Sequence, residues 1–470
     1  MNNKKVIHML TFFSVMFLAL IVYLTITNVY YSDEYTQSAY NTRNTAQEAK
    51  IKRGTITDRN SIVLAYNEKD ENGRQKRIYP FDNLYSHVIG YSSGQYGKSL
   101  VEKQYNQQLL GKNDMAHVFS LDRLFDNAAT EGNDLVLTID HDLQKKAQSL
   151  MQKYTGALVA MNPKTGEILA MVSMPDFNPN NDALQQNWES LNTSQNSPFL
   201  TRATSGLYPP GSTYKVVTSS VVLESGKQGD VVEDNTGKIS IGGKDISNAG
   251  ASVYGPTDLH KGFVKSSNVY FAEIGSQIDD SLHQDMAQRF LMNNNFDFDL
   301  PYNKSKFETG RMTPLDCAIA SIGQGKTLVT PLHLALICSA VANDGAMPKP
   351  YIVSEVQKNG RLISKNTPEI IAQPLSAGIS AELKELMYQT VQSGTGTRAQ
   401  IPGIKVCGKT GTAENEKTIE DESKTHATFV GFAPYDDPQI AVSIVLEHAG
   451  YGGTVAAPIA REVIKQYLGK

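Results

Sequence analysis

Cysteine is scarce in this 470-residue chain: Cys317, Cys338 and Cys407 are too few and too odd in number for a disulfide framework, and none forms a C-x-x-C pair. The nine histidines lack the H-E-x-x-H spacing, so no metal site and no cofactor is expected. Charge of one sign is also lacking. A formal net charge of −4 and a pI of about 6.2 leave no basic face to displace counterions from phosphate, which excludes a nucleic-acid scaffold. The single tryptophan, Trp188, reads as packing rather than ligand stacking. Repeats and low-complexity tracts are missing, and the length allows two or three domains.

Long apolar runs are confined to residues 6–27, which carry no acidic or basic side chain other than His8 and are long enough to cross a bilayer as a helix. Lys4 and Lys5 precede the run and Asp33 and Glu34 follow it, so the N-terminus is expected in the cytoplasm and the rest outside. Thr27-Asn28-Val29-Tyr30 offers no small-x-small cleavage site, which favours an uncleaved anchor over a signal peptide.

Beyond the anchor, residues 36–52 are polar and read as an amphipathic stalk. Residues 55–57 and 61–65 are β-leaning pieces around the turn Asp58-Arg59-Asn60, and the charged stretch 68–76 is expected to be an exposed loop. Strand-like 135–139 leads to Asp140, a candidate N-cap for a helix over 141–154, and marks a domain junction. Runs 157–162 and 167–173 flank the hairpin signal Pro163-Lys164-Thr165-Gly166. Helical patterns cover 214–225, 332–343 and 380–391. Strand-like runs return at 404–409, 427–432 and 440–446, before a helix over 458–467. Strands near both ends with helices between them predict an α+β fold, one antiparallel sheet covered by helices.

The chemistry-bearing signal is Tyr208-Pro209-Pro210-Gly211-Ser212-Thr213-Tyr214-Lys215. Pro and Gly end the preceding chain, so a helix is expected to begin near Ser212, and a spacing of three puts Ser212 and Lys215 on one face. A serine hydroxyl attacks only when a base takes its proton, and a lysine is that base only when burial and nearby positive charge lower its pKa. S-x-x-K alone is common. Here it is followed in order by Ser266-Ser267-Asn268 and, at the end of a strand-like run, by Lys409-Thr410-Gly411-Thr412, the trio of penicillin-binding proteins and serine β-lactamases. Residues 403–410 also match the P-loop pattern G-x-x-x-x-G-K-T. A phosphate cradle needs a strand before the first glycine and a helix after the threonine, and here the run between the glycines is itself strand-like. The glycine-rich stretch 393–397 reads as a mobile rim of the site, and Cys407 as a small buried side chain.

With these motifs in place, the sequence resembles a class B penicillin-binding protein over about residues 53–458. The likeness extends to Arg53-Gly54-Thr55-Ile56-Thr57-Asp58-Arg59-Asn60 and Gly97 through Gly111 with Glu102. It continues in Gly156-Ala157-Leu158-Val159-Ala160-Met161, Gly323-Gln324-Gly325, Ala342-Asn343-Asp344-Gly345 and Phe429-Val430-Gly431-Phe432-Ala433-Pro434. The resemblance implies an antiparallel five-stranded sheet flanked by helices, preceded by a small pedestal domain and one transmembrane helix. The parts would be residues 1–35 (anchor), 36–140 (pedestal) and 141–470 (transpeptidase), with no C-terminal extension domain. It makes Arg53, Asp58, Arg59 and Glu102 pedestal braces. It makes Ser212 the nucleophile, Lys215 its base, Ser266 the proton relay to the leaving amine, Asn268 the holder of the donor amide and Lys409 the electrostatic guide of Ser266. Thr410, Gly411 and Thr412 would bind the terminal carboxylate region, and the backbone N–H groups of Ser212 and Thr412 would form the oxyanion hole. The implied reaction is peptidoglycan D,D-transpeptidation, with stem peptides ending in D-Ala-D-Ala as donors, an amine of a neighbouring stem as acceptor, and β-lactams as covalent mimics. The implied place is the bacterial cell membrane, beside a lipid-II-polymerising glycosyltransferase. Hydrolytic relatives share the fold, but the pedestal motifs and anchor favour transpeptidation, and Asn268 disfavours the lactamase class. The intact trio makes a non-catalytic scaffold the poorest reading.

Overall fold

In the computed structural model, residues 3–30, 48, 51–71, 73–111, 131–414 and 424–470 are described. The N-terminal run forms one helix, Asn3–Tyr30, of which Lys4–Thr27 is long and apolar enough to cross a membrane. Phe12, Phe17, Leu18 and Leu24 all stand exposed, an apolar surface on every side. The stalk expected over 36–52 lies outside the described residues except for 48, 51 and 52.

A six-stranded mixed sheet follows, in the order Arg361–Lys365, Val353–Lys358, Asp134–Leu137, Ile56–Thr57, Val63–Lys69 and Gln75–Ile78. Ile56–Thr57 runs parallel to Asp134–Leu137 and the other pairs are antiparallel. Two details differ from expectation. The stretch 68–76 is a hairpin rather than a free loop: Glu68 pairs with Lys76 and Lys69 with Gln75, and Asp70 closes the turn by accepting from Arg74 N at 2.8 Å. The hairpin 353–365 comes from far down the chain to extend this sheet, a pairing that local pattern cannot announce.

Glu102, fully buried, ties the near end together. Its carboxylate accepts from Arg53 Nε at 2.5 Å, Arg77 Nε at 2.7 Å and the Tyr79 hydroxyl at 3.2 Å. Burial alone would raise its pKa, but the two guanidiniums outweigh that and hold it below the ordinary carboxylate value. Asp58 Oδ1 accepts from Asn60 N and Ile62 N, which closes the Asp58-Arg59-Asn60 turn. Arg59 reaches Glu167 at 3.5 Å.

The second sheet is antiparallel and five-stranded: Cys407–Ala413, His426–Ala433, Ile440–Leu446, Gly156–Met161 and Ile168–Met174. The strands from near both chain ends meet where Ile440–Leu446 pairs with Gly156–Met161. Both faces are covered, which is why these strands are apolar almost throughout. Val159 and Met161 join one core cluster, while Leu158 and Ala160 join the other. Helix Pro331–Ala342, buried along its whole length, covers the first face, and His141–Met151 with Gly452–Tyr467 covers the second. Asp140 caps His141–Met151 by accepting from Leu143 N. The last helix begins at Gly452 and carries Pro458 inside it, earlier than the sequence pattern indicates.

Candidate active site

Three chain segments converge beside the edge strand Cys407–Ala413. The first is the Ser212 turn. Gly211 takes φ +53, and a Cβ there would lie 2.7 Å from Thr412 O, so only glycine lets the turn sit against the strand. Gly411 answers from the strand side, where a Cβ would meet Thr428 Oγ1 at 2.1 Å and Pro210 O at 3.0 Å. Ser212 therefore lies on a 3-10 turn, Gly211–Tyr214, that runs into the α-helix Lys215–Glu224, and the regular helix begins at Lys215 rather than at the serine. Residues Lys215 to Val222 of this helix are all buried, which places the Lys215 amine in the protein interior.

The second segment joins helices Leu259–Lys265 and Asn268–Ser276. Ser266 stops the first helix in the left-handed conformation (φ 60, ψ 39), and Ser267 caps the second, its hydroxyl accepting from Tyr270 N at 3.1 Å. A non-glycine residue held in this region is a strained position that the surroundings must impose.

The third segment is Lys409-Thr410-Gly411-Thr412, which lies within the strand Cys407–Ala413 instead of at its end. Lys409 pairs across the ladder with Val430 and Thr412 with Ala427. The strand running through Gly408, Lys409 and Thr410 also removes the phosphate-loop alternative, because it continues past the threonine to Ala413 and Lys409 is fully buried. As an edge strand it keeps one row of main-chain donors and acceptors outside the sheet.

The side chains meet as follows. Lys215 Nζ donates to Ser266 O at 2.8 Å and to Asn268 Oδ1 at 2.7 Å, and stands 3.4 Å from Ser266 Oγ. Lys409 Nζ donates to Ser266 Oγ at 2.8 Å and to Thr410 O at 3.0 Å. Ser266 Oγ thus lies between the two amines. Phe271 underlies Lys215 and Phe263 underlies Lys409, with each amine a little over 5 Å from the ring centre. Burial first, and then the charge of Lys409, hold Lys215 well below the ordinary lysine value, while burial lowers Lys409 to about 7. A neutral amine has two N–H donors and one lone pair. With Ser266 O and Asn268 Oδ1 taking the donors, the lone pair of Lys215 is left to accept a proton.

Sequence reasoning placed Ser212, Lys215, Ser266, Asn268, Lys409, Thr410, Gly411 and Thr412 in one site, and all of them lie in these three segments. The hydrogen bonds of Lys215 run to Ser266 and Asn268, however, and none runs to Ser212 Oγ. The stretch 393–397 does border the site, tied down by the Thr395 and Thr410 hydroxyls at 2.6 Å. Asn248 and Asp234, which hold the Ser266–Asn268 turn, were missed, as was Arg77 beside Glu102. An isolated Asn or Asp in a polar stretch carries no pattern that marks such a role.

Comparison with known proteins matches residues 156–465 to the penicillin binding protein transpeptidase domain and residues 53–135 to the penicillin binding protein A dimerisation domain. The peptidoglycan D,D-transpeptidase PbpA of Mycolicibacterium smegmatis is 31% identical, with 97% of this chain and 96% of that protein aligned. The D,D-transpeptidase domain of a peptidoglycan glycosyltransferase from Eggerthella lenta superposes with a TM-score of 0.80 at 33% identity, over 90% of this chain and 99% of that one. Penicillin-binding protein A of M. tuberculosis, as its ceftriaxone acyl-enzyme complex, gives 0.84 at 29% identity, also over 90% and 99%. Agreement of this extent, over both sheets and the three converging segments, makes the chain a member of the penicillin-binding protein transpeptidase family, in its class B branch.

Proposed function

We propose that the protein is a peptidoglycan D,D-transpeptidase that works through an acyl-enzyme on Ser212 and is acylated there by β-lactams. The observation that carries the reading is the position of Lys215: a buried amine of depressed pKa, both N–H donors engaged, next to the serine turn and next to Ser266. Relatives named as D,D-transpeptidases, and neighbours solved as β-lactam acyl-enzymes, support it.

In this reading Ser212 Oγ attacks the carbonyl carbon of the penultimate D-Ala while its proton passes to Lys215 Nζ. The oxygen that gains charge is held by the N–H groups of Ser212 and Thr412, a donor pair in which losing one member costs about 3 to 4 kcal/mol in other enzymes. The C–N bond then breaks as Ser266 Oγ hands the leaving amine a proton and takes in its place the one on Lys215 Nζ, 3.4 Å away, with its donor direction set by Lys409. Thr410 and Thr412 hydroxyls, with the close backbone at Gly411, receive the terminal carboxylate. Asn268 uses one amide hydrogen on Ser247 O at 2.8 Å and keeps the second for the donor peptide. An extended stem peptide fits beside the edge strand through its free main-chain groups. The amine of a second stem attacks the acyl-enzyme and the proton path runs in reverse.

The proposed division is anchor 1–35, pedestal 36–140 and transpeptidase 141–470. The helix Lys4–Thr27 serves as a single-pass anchor, and Lys4 and Lys5 favour a cytoplasmic N-terminus with the catalytic domain outside. A membrane-embedded glycosyltransferase that polymerises lipid II is the proposed partner at this helix. Photo-crosslinkers at Leu10 to Leu24 are expected to capture such a protein in native membranes, and recovery of lipid alone would count against it.

Labelling of the intact protein with a fluorescent penicillin tests the catalytic reading. The wild-type chain takes the label, and Ser212→Ala and Lys215→Ala lose it. A mass adduct on any residue other than Ser212 would sink the assignment.

A further inference from the structure

The Ser266–Asn268 turn is held from outside by two residues with no place in the reaction scheme above. Asn248, 3% exposed, directs one amide oxygen at three donors: Asn268 N at 2.8 Å, Val269 N at 3.0 Å and the Ser267 hydroxyl at 3.2 Å. It thus acts as an N-cap supplied from 20 residues away, in addition to the local cap from Ser267. An amide can be turned either way, and what turns this one is Asp234, 1% exposed. Its Oδ2 accepts from Asn248 Nδ2 at 2.7 Å, and the same nitrogen donates to Ser252 O at 2.8 Å. Both acceptors demand the nitrogen, so the oxygen must face the helix start. Asp234 is itself fixed by Gly237 N on Oδ1 and Tyr254 N on Oδ2.

The neighbour of Asn248 does the complementary task. Ser247 O accepts from Asn268 Nδ2 at 2.8 Å, which obliges Asn268 Oδ1 to point the other way, onto Lys215 Nζ. The pair Ser247–Asn248 therefore grips Asn268 at its main chain and at its side chain together. If Asn268 shifted or flipped, an N–H of Lys215 would lose its acceptor, and the lone pair would no longer be confined to one direction.

We infer that Asn248, oriented by Asp234, is a positioning residue for acylation: it holds Asn268 so that the Lys215 lone pair faces Ser212. The inference rests on the transpeptidase reading, in which Lys215 is the base. It assigns Asn248 to the rate of bond formation and not to the initial fit of the donor.

The test is the kinetics of acylation by a fluorescent penicillin, resolved into the pre-acylation dissociation constant and the first-order acylation constant, on the full-length protein in detergent. Asn248→Ala is expected to lower the acylation constant tenfold or more and to change the dissociation constant by less than threefold. Asn248→Asp keeps the acceptor oxygen but sets a second carboxylate against Asp234, and is expected to lose a comparable factor. Asp234→Ala removes the carboxylate that orients the Asn248 amide, and is expected to lower the acylation constant at least threefold with the dissociation constant within threefold of wild type. The inference is overturned if Asn248→Ala acylates within twofold of wild type while melting at lower temperature, or if its loss lies in the dissociation constant alone. If Asn248→Ala does not fold, Asp234→Ala decides: a lowered acylation constant at an unchanged dissociation constant supports the inference, and a folded variant that acylates within twofold of wild type refutes it. Failure of the wild-type protein to take label at all would instead remove the transpeptidase reading beneath it.

Discussion

At the scale of single residues, the proposed chemistry depends on where an amine is prevented from carrying its charge. Lys215 has no carboxylate partner among the described residues. It is buried with Lys409 nearby, and both conditions favour the neutral form. The serine, by contrast, is placed by glycine. Gly211 and Gly411 let the Ser212 turn and the edge strand touch through their backbones. Gly411→Ala drives a methyl group into Thr428 Oγ1 and toward Pro210 O, which must separate the two. We expect the penicillin acylation rate to fall by at least tenfold and stability by about 2 kcal/mol, the usual cost of overpacking. Acylation kinetics and a urea melt on the same sample check both.

At the scale of elements, the fold depends on pieces that borrow from distant sequence. The hairpin 353–365 leaves the helical part to pair with Asp134–Leu137, and Thr138 N donates to Ile352 O at 2.7 Å just beyond that ladder. The other end of the same sheet is braced by Glu102 between Arg53 and Arg77. Removing the carboxylate leaves two guanidiniums buried with no counter-charge, so Glu102→Ala should destabilise by about 3 to 5 kcal/mol. Denaturant unfolding is the measurement, and a change below 1 kcal/mol would show that the brace carries little. Aromatic contacts link the same region to the segment after Met174. Trp188 stacks on Tyr96 with ring centres 3.9 Å apart and packs on Phe199, in keeping with its reading as packing.

At the scale of the whole molecule, pH acts through buried histidines outside the three converging segments. His87 and His333 are both held to about 4 by burial, against 6.5 in the unfolded chain. Each stays neutral in the fold while the unfolded state takes up a proton below about pH 6.5, so stability is full above that pH and is lost as pH falls toward 4. Between pH 6.5 and 5 the loss is on the order of 2 kcal/mol per histidine. Urea melts at pH 7 and pH 5 should show it, and His87→Gln or His333→Gln should flatten the dependence. An unchanged slope in either variant would refute that histidine's share.

The proposed site residues and the local elements were legible along the chain. It supplied the order Ser212, Lys215, Ser266, Asn268, Lys409, the apolar anchor run, and strands recognisable because both faces of their sheet are buried. These are properties of neighbouring residues, and a spacing of three or a run of apolar side chains reports them directly. Tertiary structure decided the rest. The strand continues through Gly408 and Gly411, poor strand formers, because seven successive pairings with His426–Ala433 outweigh their local preference. Arg77, Asn248 and Asp234 acquired roles only when folding brought them to Glu102 and to the Ser266–Asn268 turn, since a hydrogen bond is set by distance in space and carries no mark along the chain.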